Sequence, residues 1–163
     1  MAGSSILSAM ARRKTPPPQP ELLVARIDRF EQTYYIAEDR GHREPVQDEA
    51  LIEITGTIED ITKRHKKHLG QEIEITLGCA HAFSDDEPTV ARDKPFLLMM
   101  NLRKNQRSCM AYLPNASFWS IPRMIETGRV THIEARFEPV RYGDGALLSL
   151  YFTPQVRLTS ETM

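Results

Sequence analysis

The chain is poor in cysteine. Cys79 and Cys109 are its only two, which excludes a disulfide-stapled scaffold and makes a reducing, cytoplasmic setting the expectation. It also lacks a long apolar run. Phe96-Leu97-Leu98-Met99-Met100 is too short to cross a bilayer, so no membrane partner is expected. An excess of one charge sign is missing as well: the formal net charge is −1, so no whole-molecule field draws in nucleic acid or anionic lipid. No Gly-rich phosphate loop, dinucleotide fingerprint or Gly-x-Ser-x-Gly elbow occurs. His65-x-x-His68 and Cys79-x-His81 lack the second ligand pair that structural zinc requires, and His42 and His132 stand alone, so neither metal nor cofactor is expected. Cys109 falls on the inward face of an expected strand, where a thiol behaves as a small hydrophobe.

What remains is the composition of one globular domain, with 40% hydrophobic residues in 163. Residues 1–20 contain no Asp or Glu, carry Arg12, Arg13 and Lys14, and end in a proline-rich stretch. A disordered tail is the simplest reading, with a targeting peptide or a polyproline ligand as the functional ones. A single β domain is expected over 21–158, followed by a flexible 159–163.

Within that domain, Leu23, Ile27, Phe30 and Tyr34 recur at helical spacing, while 32–36 is rich in β-formers. A helix or strand over 21–30 and a short strand over 32–37 are expected, then a charged loop over 38–49. Strict alternation follows. Ile52, Ile54 and Ile58 oppose Glu53, Thr55, Thr57 and Glu59, and Ile73, Ile75, Leu77 and Cys79 oppose Glu72, Glu74 and Thr76. Each pattern predicts a strand with one dry and one wet face, the first marked at Gly56 by a bulge or sharp bend. An acidic loop over 80–95 precedes an apolar strand over 96–102, expected to be central and covered on both sides. A return strand over 107–113 comes next. A short helix lies within 116–127, its regular part starting near Ser120 because Pro122 suits a first turn. The last two strands are 129–138 (Ile133, Ala135 and Phe137 inward) and 146–153 (Leu148, Leu150 and Phe152 inward), joined by a loop whose Gly143 and Gly145 can take positive φ.

The fold expected is all-β with one short helix, either a small antiparallel barrel or a two-sheet sandwich. The element order over 50–153 resembles the oligonucleotide/oligosaccharide-binding barrel, without any family motif. That resemblance implies a ligand face on the second and third strands and gripping loops at Lys63–His68 and 139–145.

Lys63, Arg64, Lys66 and Lys67 place four cations within five residues, and Arg141 and Tyr142 lie on the second loop. Such a loop can neutralise phosphates, or it can be a solvated hairpin tip that guards against aggregation. Glu72 and Glu74 on the neighbouring face disfavour nucleic acid, and no aromatic accompanies them there. Trp119, beside the helix start, is either an interface residue or the plug of a barrel end. The leading expectation is a non-catalytic binding or assembly module. It contacts a protein partner or a second copy of itself through a sheet edge or hairpin loops. A single-stranded nucleic-acid or polyanion binder is the alternative. A third, an enzyme without a linear motif, needs a concave site holding His81, His132 or Asp85.

Overall fold

The computed structural model describes residues 17–38, 46–80 and 97–154. Seven strands close into a barrel: β1 (Glu21–Glu38), β2 (Val46–Ile61), β3 (Glu72–Ala80), β4 (Leu97–Leu102), β5 (Arg107–Tyr112), β6 (His132–Phe137) and β7 (Asp144–Thr153). A 3-10 helix, Lys63–His68, links β2 to β3, and α1 (Asn115–Glu126) links β5 to β6. The order around the wall is β1-β2-β3-β5-β4-β7-β6, and β6 pairs back onto β1. All neighbours are antiparallel except β3 and β5. The barrel alternative therefore holds, with seven strands rather than the five of the oligonucleotide-binding barrel. No helix among the described residues is long and apolar enough to cross a membrane.

The alternating isoleucines build the core. Ile52, Ile54, Ile58, Ile73, Ile75 and Leu77 are buried, while Glu53, Glu59, Glu72 and Glu74 are exposed. Residues 21–37 depart from the expectation: they are one continuous strand, with no helix and no break. The paired register slips between Ile27 and Arg29, leaving Asp28 as an extra residue. Inward positions thus run Leu23, Ala25, Ile27, then Phe30, Gln32, Tyr34. A period of two interrupted by one inserted residue gives the four-three-four spacing of a helix. The expected charged loop is also shortened, because β1 continues to Glu38 and β2 starts at Val46.

Three further corrections have local causes. The expected strand over 96–102 is not covered on both sides: Met100 and Leu102 are buried, but Met99 faces outward and is half exposed, as a barrel wall dictates. In β7 the register slips at Leu148, so Leu147, Leu150 and Phe152 turn inward and Leu148 is exposed. The helix begins at Asn115, not near Ser120, and carries Pro122 in its interior. Its Phe118 and Ile121 still reach the core, which offsets the missing Pro122 N–H. Gly128, with φ 70°, follows the helix end as expected.

Candidate binding surfaces

Register places four chain segments at one end of the barrel: the entry at Glu21, the β2–β3 link, the β4–β5 turn and the β6–β7 loop. The link is not a free hairpin tip. A 3-10 helix has three residues per turn, so residues three apart share a face. The hexapeptide Lys63-Arg64-His65-Lys66-Lys67-His68 has that period, which sends both histidines inward and all four cations outward. His65 Nε2 lies 2.8 Å from Glu21 Oε2. His68 is fully buried rather than a surface imidazole; its Nδ1 is 3.4 Å from Gln71 Oε1, and burial pulls its pKa below the usual histidine value.

The loops are tied together by their polar groups. The Glu21 carboxylate is buried, pairs with the Arg64 guanidinium and accepts from the Val140 N–H at 3.3 Å. Arg64 Nη2 donates to the Val140 carbonyl at 3.3 Å. Arg103 Nη2 meets Asp144 Oδ2 at 2.8 Å, and the Leu102 N–H donates to the Gly143 carbonyl at 2.8 Å. Arg107 donates to the Glu72 and Lys104 carbonyls at 2.6 and 2.9 Å. Lys63, Lys66 and Lys67 are therefore joined at this end by Arg141 and Tyr142, from the two loops that the resemblance in element order implied, and by Arg103, Lys104 and Arg107, which it did not. Of the two loop glycines, Gly143 takes positive φ (97°); the other left-handed residue there is Tyr142 at 54°, and Gly145 is not left-handed.

Trp119 lies elsewhere, on α1. It is half exposed, so the buried aromatic on this helix is Phe118, which meets the indole edge-on at 5.1 Å. The Trp119 N–H donates to Asn115 Oδ1 at 2.6 Å, an atom that also faces the Cys79 thiol at 3.7 Å. Cys79 and Cys109 are buried. Burial pushes the Cys109 thiol up to about 12, consistent with an inert core group.

A second surface was not legible as such. β1 pairs with β6 only over Glu21–Arg26, and the Ile27 N–H donates to the Thr131 carbonyl. Beyond that point β1 has β2 on one side, and no described strand on the other. The parting coincides with the bulge, where Asp28 accepts from Thr57 Oγ1 at 2.6 Å and from Arg26 Nε at 3.0 Å. The Thr57 bond, then the Arg26 hydrogen bond and charge, hold the Asp28 carboxyl below its usual range against the opposing effect of burial. Tyr34, Tyr35 and Ile36 are exposed on this overhang. Its outer face continues into a shallow groove of about 250 Å³ lined by Arg29, Glu31, Glu53, Thr55, Glu74 and Thr76.

A tyrosine clasp crosses the same wall. The Tyr35 hydroxyl donates to Glu49 Oε2 at 2.8 Å and the Tyr112 hydroxyl to Glu49 Oε1 at 2.5 Å. To reach Glu49 from β5, the Tyr112 ring lies across β3 at Gly78, where a Cβ would sit 2.7 Å from the ring. Donation to the carboxylate pushes Tyr112 up to about 12 and raises Tyr35 in the same direction. A raised tyrosine pKa contributes stability that is present below pH ~10 and lost between ~10 and ~12. Tyr112→Phe is expected to cost about 1 kcal/mol at neutral pH. It should also remove part of the alkaline destabilisation, read by urea titrations from neutral to alkaline pH. An unchanged alkaline limb would mean that the clasp carries no proton linkage.

One polar chain resembles catalytic machinery. His132 Nδ1 lies 2.8 Å from Thr131 Oγ1, and its Nε2 lies 3.0 Å from Glu59 Oε2. Thr131 is not an activated nucleophile, because its hydroxyl donates to the Pro154 carbonyl at 2.5 Å. Glu59 is also held by Arg26 at 3.1 Å. His132 is thus held between Thr131 and Glu59. His42, His81 and Asp85 lie outside the described residues. Among the described residues, no group of three or more His, Cys, Asp or Glu side chains is arranged to hold a metal ion.

Comparison with protein-family models, curated proteins and solved structures returns no match.

Proposed function

We propose that the chain is a non-catalytic binding module that docks an extended segment of a partner protein as an added strand on the free edge of β1. The observation that carries this reading is that β1 leaves β6 at the Asp28 bulge and continues to Glu38 with, among the described residues, a strand paired on one edge only. An unpaired edge offers main-chain donors and acceptors for affinity, and alternate side chains for specificity. On the inner side the overhang presents Phe30, Tyr34 and Ile36, and on the outer side Glu31 beside Glu53 and Glu74. The complementary strand alternates apolar and basic side chains. A second copy of β1 fits less well, because antiparallel pairing would bring two acidic outer faces together.

The test uses a short synthetic peptide alternating valine and lysine, its valine–glutamate counterpart, and the variant Tyr34→Lys/Ile36→Lys. Both replaced side chains are exposed, so folding stability should change by no more than about 0.5 kcal/mol each. The basic peptide is expected to bind and to protect amides of 28–38 from hydrogen exchange, while the acidic peptide and the double variant show neither effect. Light scattering over a dilution series reads the competing outcome, a homodimer lost in the double variant. A monomer that binds neither peptide overturns the reading.

A further inference from the structure

The basic end of the barrel is left unused by a strand docked on β1. We infer that it is a separate site for single-stranded nucleic acid, with the phosphate backbone on the cations and a base on Tyr142.

The 3-10 helix fixes the orientation of its charges. With His65 held by buried Glu21, and His68 in the core, Lys63 and Lys66 form one outward stripe, and Arg64 and Lys67 a second. Arg64 reaches the Val140 carbonyl, which brings Arg141 and Tyr142 beside these stripes. Arg107, anchored on the Glu72 carbonyl at the start of β3, brings Lys104 and the β4–β5 turn to the same end. Eight cations from three loops thus share one surface. Lys63, Lys66, Lys67, Lys104 and Arg141 make no side-chain ion pair with another described residue.

The acids at this end are accounted for. Glu21 is buried under Arg64 and His65, Asp144 is paired with Arg103, and half-buried Asp60 accepts from the Ile61 N–H at 2.8 Å. Glu72 and Glu138 remain exposed and bound the patch. Glu74 lies farther along the wall, in the acidic groove. The sequence objection from Glu72 and Glu74 applies to a strand laid along the wall, whereas these loops present phosphate contacts across the barrel end.

Tyr142 supplies an aromatic platform at this end of the barrel. It is fully exposed at the tip of its loop, and its φ of 54° is a conformation that bulky residues rarely adopt. The loop holds it there by reciprocal main-chain bonds between Arg141 and Asp144, at 2.9 and 3.0 Å. A flat ring held clear of the surface, next to unpaired cations, suits stacking of an unpaired base.

Fluorescence anisotropy with a labelled mixed-sequence single-stranded RNA, and the same sequence as DNA, tests this between about 50 and 200 mM salt. Binding should weaken steeply with salt. Lys63→Glu/Lys66→Glu/Lys67→Glu should weaken it at least about tenfold and flatten the salt slope. Tyr142→Ala should weaken it about fivefold with the slope unchanged. Circular dichroism should show both variants folded, since none of these side chains is buried. Absence of binding at low salt, or unchanged affinity in the charge-reversed variant, overturns the site. Equal affinity for duplex DNA or heparin, or no effect of Tyr142→Ala, overturns its assignment to single strands.

Discussion

Glu21→Ala is expected to lower stability by about 3 kcal/mol, although the residue is the first of β1. Its carboxylate is 6% exposed and meets three groups on two other segments: the Arg64 guanidinium, His65 Nε2 and the Val140 N–H. Truncation leaves the imidazole, itself only 12% exposed, without its carboxylate partner and the Val140 N–H without its acceptor. Arg64 is half exposed and can turn to water, which keeps the loss at the lower end of the range for broken buried pairs. Urea unfolding should show a lower midpoint at unchanged slope, and Tm should fall by roughly 6–12 °C. Glu21→Gln keeps an acceptor and should lose about half as much. A neutral alanine variant would mean that the desolvation of this carboxylate already cancels its contacts.

Gly56→Ala should cost about 2 kcal/mol, and Gly56→Val about 3. Alanine in a strand is ordinarily favourable relative to glycine, because it restricts the unfolded chain. Here a Cβ would stand 2.6 Å from the Arg26 carbonyl oxygen, a main-chain atom that no side-chain rotation can move away. β1 would have to retreat at the point where it separates from β6, disturbing the Asp28–Thr57 bond as well. Denaturant midpoints for both variants read this directly. An alanine variant as stable as the parent would show that the bulge has room to open.

The middle of the molecule was legible because its signal is local. Over 52–58 and 72–79 the inward residues are isoleucine, leucine or cysteine apart from Gly56, the outward ones are glutamate or threonine apart from Gly78, and burial of the side chains follows that alternation. Gly56 is itself paired, with Ile27; the inserted residues lie beside it in register, at Asp28 of β1 and Glu59 of β2. β1 and Leu148 of β7 were misread for a shared reason. A bulge shifts the phase of a period-two pattern, and the shifted pattern matches another period or the wrong face. Pro122 misled through a local rule that tertiary packing of Phe118 and Ile121 overrides.

The candidate surfaces were legible only in part. Lys63, Arg64, Lys66, Lys67, Arg141 and Tyr142 could be picked out, but their union with Arg103, Lys104 and Arg107 depends on strand order. Nothing in the sequence says that β4 lies between β5 and β7, which is what brings the β4–β5 turn to the β6–β7 loop. The free edge of β1 was hidden for the same reason, since an edge is defined by the neighbours a strand lacks. The fate of the histidines was open to inspection: a repeat of three over six residues is the signature of a 3-10 turn.

That repeat restricts how the β2–β3 link can change in length. Deleting one residue between Thr62 and Leu69 would rotate everything after it by a third of a turn, aiming a lysine at the interior and a histidine at water. Loss or gain of a whole triplet would keep each remaining side chain on its own stripe. The segment that a sequence reading takes for a variable surface loop is thereby quantised, able to grow or shrink only in complete turns.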